Sequence, residues 1–358
     1  MINPERTAYN SIIGSSFLLS IGLLSLFLIA LEYIAGAIWS VVFRRITEFL
    51  SALIFIVPVF ALPFLLNIHS VFNWTHAETV AKDAILIHKS PYLNTTFFFI
   101  RFAAVFIIWW LFYFVLTGNS KKQDSTFNQT LTKRNASFGA VFMPIFAITI
   151  TIASIDWLMS LEPKWFSTIF GVYFFSGSLL AAIAATTFAA VRLDENNLFG
   201  IKIKGDHYYS LGALLFAFTN FWGYIAFSQF MLIWYANLPE ETFWFISRWE
   251  GNWKFITLGL IVFRFIVPYI LILSQPSKKD PKRLKLAAIW ILFTHYYDIY
   301  WLVMPNYSRS GIAFSWYELG YPLLCLGVMI LTFTFKAKNT NLLPVGDPKL
   351  KQSIDFHL

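Results

Sequence analysis

Eight ionisable side chains of this 358-residue sequence stand inside long apolar stretches: Glu32, Glu48, Arg101, Asp156, Arg264, His295, Asp298 and Glu318. Charge is costly in hydrocarbon, so such residues pair with one another, line a wet path or handle protons. His295 and Asp298 are three apart and share a helix face. An imidazole titrates near neutrality. With a carboxylate one turn away it can shuttle protons, or act as base and hydrogen-bond partner to a hydroxylated ring. Tyr296 and Tyr297 flank the pair, and Ser228 and Gln229 fall at comparable depth in another stretch. At about 1.5 Å per residue, Arg264 and His295 lie near mid-depth and Asp298 one turn further out. Asp156, Glu318 and Arg101 fall in that same outer half. Glu32 stands alone toward the opposite face, with Glu48 near that interface.

The elements that must position these residues follow from composition. The chain is 58% apolar, 20% aromatic and only 13% charged, about half the charge of a soluble domain. A mean hydropathy of +0.62 agrees. Such a chain cannot cover a water-facing surface, which excludes a soluble enzyme and a nucleic-acid binder despite a pI near 9.4. The expected class is all-α: a polytopic transmembrane helical bundle in contact with the lipid bilayer. A helix needs about 20 apolar residues to cross. Nine stretches qualify, near 13–35, 46–67, 95–117, 138–161, 166–192, 208–235, 252–274, 284–304 and 313–335. Together they make residues 1–336 a transmembrane domain, with 337–358 as a tail. Backbone groups left unpaired in lipid are too costly for anything but helices or a closed barrel, and these runs are too long and continuous for barrel strands. Pro58, Pro63, Pro144, Pro268 and Pro322 read as kinks. The first stretch is too long, and lacks the basic leader, for a cleavable signal peptide.

Lys and Arg set the sidedness. The side holding the N-terminus, side one, carries Arg6, Lys82, Lys89, Lys164, Arg248 and Arg309. Side two carries far more, among them Arg44, Arg45, Lys121, Lys122, Lys133 and Arg134 and the run from Lys278 to Lys285. Side two is therefore predicted to be cytoplasmic, with the N-terminus outside and the C-terminal tail inside. Residues 36–48 predict an amphipathic connector, with Trp39 at headgroup level and Arg44 and Arg45 among anionic lipids. The loop 68–94, with His69, His76 and His88, is too long for a tight connection and is expected to contact something. Its histidine spacing fits no compact zinc motif.

No redox centre is written into the chain. One cysteine, Cys325, cannot hold an iron–sulfur cluster, and one intramembrane histidine cannot provide the paired axial ligands of a membrane cytochrome b. There is no phosphate-binding GxxxxGK[ST] loop and no HExxH motif. The buried charges also have plainer readings. Arg264 pairs with Asp298 or Glu318; Arg101 snorkels to the outer interface; His295 packs as a satisfied core residue; Asp156 caps a turn. A weak internal repeat is visible: Asp156-Trp157-Leu158-Met159 with Pro163, against Asp298 through Trp301-Leu302 to Met304-Pro305. Arg101 and Arg264 stand in the spans preceding each copy. Four spans separate the copies, so two four-helix bundles of like orientation are expected, spans 2–5 and 6–9, with the first helix extra.

Two runs are distinctive: Ser154-Ile-Asp-Trp-Leu-Met-Ser-Leu-Glu-Pro-Lys-Trp-Phe-Ser-Thr168 and Phe227-Ser-Gln-Phe-Met-Leu-Ile-Trp-Tyr-Ala-Asn-Leu-Pro-Glu-Glu241. With Tyr92-Leu93-Asn94 and His295-Tyr296-Tyr297-Asp298, residues 10–335 resemble the membrane subunits of the polysulfide- and nitrite-reductase type. Within that family they resemble the second of the two related membrane proteins of bacterial alternative complex III, a quinol:cytochrome c oxidoreductase in which that protein is labelled quinone-binding. The resemblance implies a ten-span plan, with one cytoplasm-starting helix before those seen here. It implies a bacterial cytoplasmic membrane and a respiratory assembly that oxidises menaquinol at the outer face. The implied partners are the first of those two membrane proteins, an iron–sulfur protein, and multihaem and monohaem cytochromes c, whose clusters and c-type haems carry the electrons.

On these grounds the chain is expected to be a non-redox subunit of that complex, structural and proton-conducting. His295, Asp298, Asp156 and Glu318 would form the outer path, and Glu32 and Glu48 the inner entry. Two alternatives stand beside it: a menaquinol site of its own around His295, lined by Trp157 and Trp301, and a secondary transporter.

Overall fold

The computed structural model describes residues 3–309, 311–338 and 340–358. Among them nine helices are long and apolar enough to cross a membrane. We label them α1 (Pro4–Ala35), α2 (Val41–Leu66), α3 (Thr95–Thr126), α4 (Thr130–Leu161), α5 (Phe170–Glu195), α6 (Gly205–Ala236), α7 (Trp253–Leu271), α8 (Pro281–Tyr307) and α9 (Trp316–Ala337). The expected all-α polytopic bundle is therefore present. Local chemistry fixes several starts. Asn94 accepts from the Phe97 amide at α3, Asp280 caps α8 ahead of Pro281, and Ser315 with Glu318 makes a reciprocal capping box at α9.

Two helices form the centre. The most apolar stretch of α1 is 89% buried and that of α5 is 83% buried, against 11% for α9. Small residues explain the choice, because they let helix backbones approach closely where no water drives association. On α1, Gly22 faces the Ile54 backbone, with 3.0 Å from a would-be Cβ to its amide nitrogen. The α5 run from Ser176 to Thr187 is mainly Gly, Ala, Ser and Thr, and Ser178 meets Ser20 of α1 at 2.9 Å.

Around this centre α1 packs with α2 and α4, and α4 with α3; α5 packs with α6 and α8, and α8 with α7. The two four-helix groups are thus α1–α4 and α5–α8. The repeat is displaced by one span from the expected grouping: the extra helix is α9, which leans on α1 and α2. The sequence repeat marks only the third and fourth members of each group, so it does not say which helix opens the set.

Side two is also built differently from the expected lipid-facing connector. Arg44 and Arg45 are buried. Arg44 pairs with Glu32 at 2.5 Å and with Asp347 at 2.5 Å. Arg45 pairs with Glu48 and Asp124. The tail segment 340–358 runs as a strap across this end. Lys349 Nζ donates to the Gly36 carbonyl at 2.6 Å, the Gly346 amide donates to Asp124 at 3.1 Å, and His207 Nε2 meets the Ser353 carbonyl at 2.8 Å.

On side one, the loop after α2 does make contacts, with its own chain. It forms short helical turns such as Ala84–Lys89. Trp74 packs on Phe98 at 5.7 Å between ring centroids, Asp83 pairs with Lys164 at 2.5 Å, and Lys89 donates to the Pro163 carbonyl at 2.7 Å.

A Cβ on Gly346 would collide with the Gln123 carbonyl. Gly346→Ala should therefore lift the strap. Tryptic cleavage at Lys349 and Lys351 should accelerate by at least tenfold, with a loss of about 1–3 kcal/mol, the cost of unmaking charged buried contacts. Unchanged cleavage would show that the strap does not depend on this approach. A second outcome concerns pH. Lys164, helped by the Leu86 and Ile85 amides, holds the Asp83 carboxyl below its ordinary 3.8. Its folded value is depressed, so its stabilisation is complete above 3.8 and is lost as pH falls through the lower folded value. Exchange protection at the Ile85 and Leu86 amides should drop over that acid range, and Asp83→Ala should abolish the pH dependence.

Candidate functional site

The candidate site lies in the second helix group. Residues Leu260–Ile266 of α7 form a π-helical turn, a deviation frequent at functional sites, and Arg264 stands in it, fully buried. Its Nε faces Asp298 Oδ2 of α8 at 3.1 Å, and its Nη2 lies 2.9 Å from His295 Nδ1. A guanidinium only donates, so Nδ1 accepts and the neutral ring carries its hydrogen on Nε2, which has no partner. Tyr173 of α5 donates to Asp298 Oδ1 at 2.5 Å. Trp222 of α6 lies under the guanidinium at 4.7 Å. Gly177 makes the room, since a Cβ there would lie 2.8 Å from Arg264 Nη2. His295 and Asp298 thus share a face, as their spacing predicts, and of the two acids weighed for Arg264 it takes Asp298.

The first group carries the matching pair in another style. Arg101 of α3 grips Asp156 of α4 with two parallel bonds, 2.7 and 3.0 Å. Its third nitrogen donates to the Tyr92 carbonyl at 2.8 Å, and its plane lies between Tyr92 and Phe97 at 3.8 and 4.4 Å. The expected snorkelling of Arg101 is thus overturned: it is 7% exposed, because a bidentate carboxylate and two rings inside the protein satisfy it better than the interface would. The Asp156 carboxylate also meets the Tyr92 hydroxyl, and its backbone carbonyl accepts from Ser160.

The remaining acids are held elsewhere. Glu318 accepts from Arg6 at 2.8 Å, Asn10 at 2.9 Å and the Ser315 amide at 2.7 Å. Glu32, expected to stand alone, is paired with Arg44, and Glu48 with Arg45. The structure brings together Arg264, His295 and Asp298, and separately Arg101 and Asp156. It does not join either set to Glu318, Glu32 or Glu48 by direct hydrogen bonds among the described residues.

A cavity of about 920 Å³ adjoins the second cluster, between α6, α7 and the short helix Pro239–Ile246. Tyr173, Trp222, Gln229, Thr257 and Trp301 are among its lining residues. Most of the wall is apolar. Gln229 Oε1 is a buried acceptor with no partner. Spacing could not find Tyr173 and Trp222, since neither carries a charge and their helices meet α8 only through the fold. Arg248, which its position in the sequence puts among the surface charges, is buried. It lies 3.5 Å over the Trp244 ring and donates to the carbonyls of Trp244 and Leu302 at 2.9 and 2.8 Å. Burial without a carboxylate partner pulls its guanidinium down to about 9. It thereby ties the Pro239–Ile246 helix, which forms part of the cavity wall, to the end of α8.

Comparison with protein-family models and with curated proteins finds no match.

Gly177→Ala should push the Arg264 guanidinium off His295 and cost about 1–3 kcal/mol, as overpacking does. Gly118→Ala, where a Cβ meets nothing within 4 Å, should leave melting unchanged or slightly raised. Thermal unfolding of the two purified variants side by side checks this.

Proposed function

We propose that this chain is a non-redox membrane subunit of a bacterial respiratory assembly that oxidises quinol, and that the Arg264–Asp298–His295–Tyr173 cluster is its proton-handling centre. The resemblance of the Ser154–Thr168 and Phe227–Glu241 runs to alternative complex III membrane proteins supports the assembly. Side two would face the cytoplasm, by the Lys and Arg bias. Electrons would run through iron–sulfur clusters and haems on partner subunits.

One observation carries the assignment of the centre: both aspartates meet a phenol, and the one on Asp298, Tyr173, also lines the large cavity, whereas Tyr92 on Asp156 is not among that cavity's walls. Tyr173 both donates to Asp298 and lines the 920 Å³ space. A proton arriving in the cavity can reach Asp298 through the Tyr173 hydroxyl, which takes one proton as it gives up another. Arg264 positions the acceptor carboxylate and keeps His295 Nδ1 occupied, so His295 orients the guanidinium and is not the first proton carrier. Arg101–Asp156 has every donor of its fork turned to a protein acceptor or a ring and is structural.

Asp298→Asn in the assembled complex should lower quinol-driven proton release at least tenfold while the complex still assembles. Asp156→Asn should instead impair assembly. Unchanged proton release with normal assembly in Asp298→Asn would overturn the reading.

A second reading has its own support. Gln229, which lines the apolar slot, carries a buried acceptor without a partner, Oε1, and a quinol hydroxyl is a donor that would satisfy it. A photoactivatable menaquinone should then label residues 220–233, and Gln229→Leu should abolish labelling. Label confined to a partner subunit would remove this reading and leave the first standing.

A further inference from the structure

A second opening lies on the other flank of α8. Because α9 leans on α1 and α2 and barely approaches α8, a groove of about 650 Å³ separates the two helices. Its floor on α5 is kept open by Ala185 and Ala189, one turn apart on one face, and Arg192 follows on the same side. Leu292 of α8 and Phe333 of α9 are among the walls. Nearly all of the lining is apolar, and its two charges stand at opposite mouths.

Those mouths are not equivalent. At side one, Glu318 is already saturated by Arg6, Asn10 and Ser315 and has no valence for a ligand. At side two, the Arg192 side chain is 64% exposed, and its ion pair with Glu195 is long, 3.5 Å. Glu195 is held more closely by Lys285, at 2.5 Å. The Arg192 fork is therefore available to a planar or tetrahedral anion. A slot at hydrocarbon depth forfeits dispersion contacts along its walls unless hydrocarbon fills it.

We propose that the side-two half of this groove binds one phospholipid with an anionic headgroup, its phosphate on Arg192 and an acyl chain along Ala189, Leu292 and Phe333. The lipid completes the contact between α9 and the second helix group that the protein leaves unmade. This site is independent of the proton-handling centre.

The test uses the full chain in mild detergent, mixed with equal amounts of phosphatidylglycerol and phosphatidylcholine of the same acyl composition, and native mass spectrometry. Phosphatidylglycerol should be retained at least fivefold over phosphatidylcholine. Arg192→Gln should abolish the preference, and Ala189→Phe, which fills the floor, should lower retention of both lipids without changing helicity. Equal retention of the two lipids overturns the proposal, as does a preference that survives Arg192→Gln. Tyr296, whose hydroxyl is buried without a partner, also lines the groove. Displacement of phospholipid by added menaquinone in a Tyr296-dependent manner would assign the groove to a quinone and equally overturn the proposal.

Discussion

A guanidinium at membrane depth has to be met by a carboxylate or by carbonyls, and the architecture is organised around the places where arginines meet that demand with acids. Removing one partner of such a pair strands a charge and costs several kcal/mol, whereas the intact pair adds little net stability. The pairs therefore act less as glue than as registration marks. Arg101–Asp156 fixes α3 against α4, and Arg264–Asp298 fixes α7 against α8. Arg6–Glu318 locates α9 on the head of α1. At side two, Arg44 and Arg45 fasten the start of α2 to the strap and to α3. Arg248, the exception, is met by helix carbonyls and indole rings and, among the described residues, by no carboxylate.

The same demand accounts for what the sequence could and could not disclose. The nine spans were legible because burial in lipid needs unbroken apolar runs, and no tertiary fact alters that. His295 and Asp298 were legible as neighbours because helix geometry is local. The partners were not. Arg101 and Asp156 are 55 residues apart in sequence, and nothing local distinguishes an arginine that snorkels from one gripped by a carboxylate on the next helix. Glu32 looked solitary for the same reason: one of its network's members, Asp347, comes from the strap at the far end of the chain. Charge counting assigned Arg44, Arg45 and Arg248 to exposed faces because it weighs sign and position but not burial. The displaced grouping of the helices had a different cause: small residues on α1 and α5, rather than the Asp-Trp-Leu repeat, select the central pair.

The two halves build the same Arg–Asp pair in two ways. In each, an arginine on the third helix meets an aspartate on the fourth. In the first half the arginine spends its whole fork on that aspartate, a carbonyl and two rings, close to side one. In the second, the arginine stands in a π-helical turn, about 8 Å deeper, judged from five further residues of helix. It splits its fork between an aspartate and an imidazole. That division leaves the second Asp298 oxygen open to a hydroxyl, and Tyr173 takes it. Each aspartate also meets a phenol, Tyr92 in the first half and Tyr173 in the second, and Tyr173 lines the cavity. Of these two pairs, the second is the incomplete one, with Arg264 Nη1 buried and without a partner among the described residues. The glycine that admits the divided fork, Gly177, lies on α5, one of the two central helices. The close packing of that helix and the divided ion pair beside it thus rest on the same run of small residues, and any change that loosened the first would move the second.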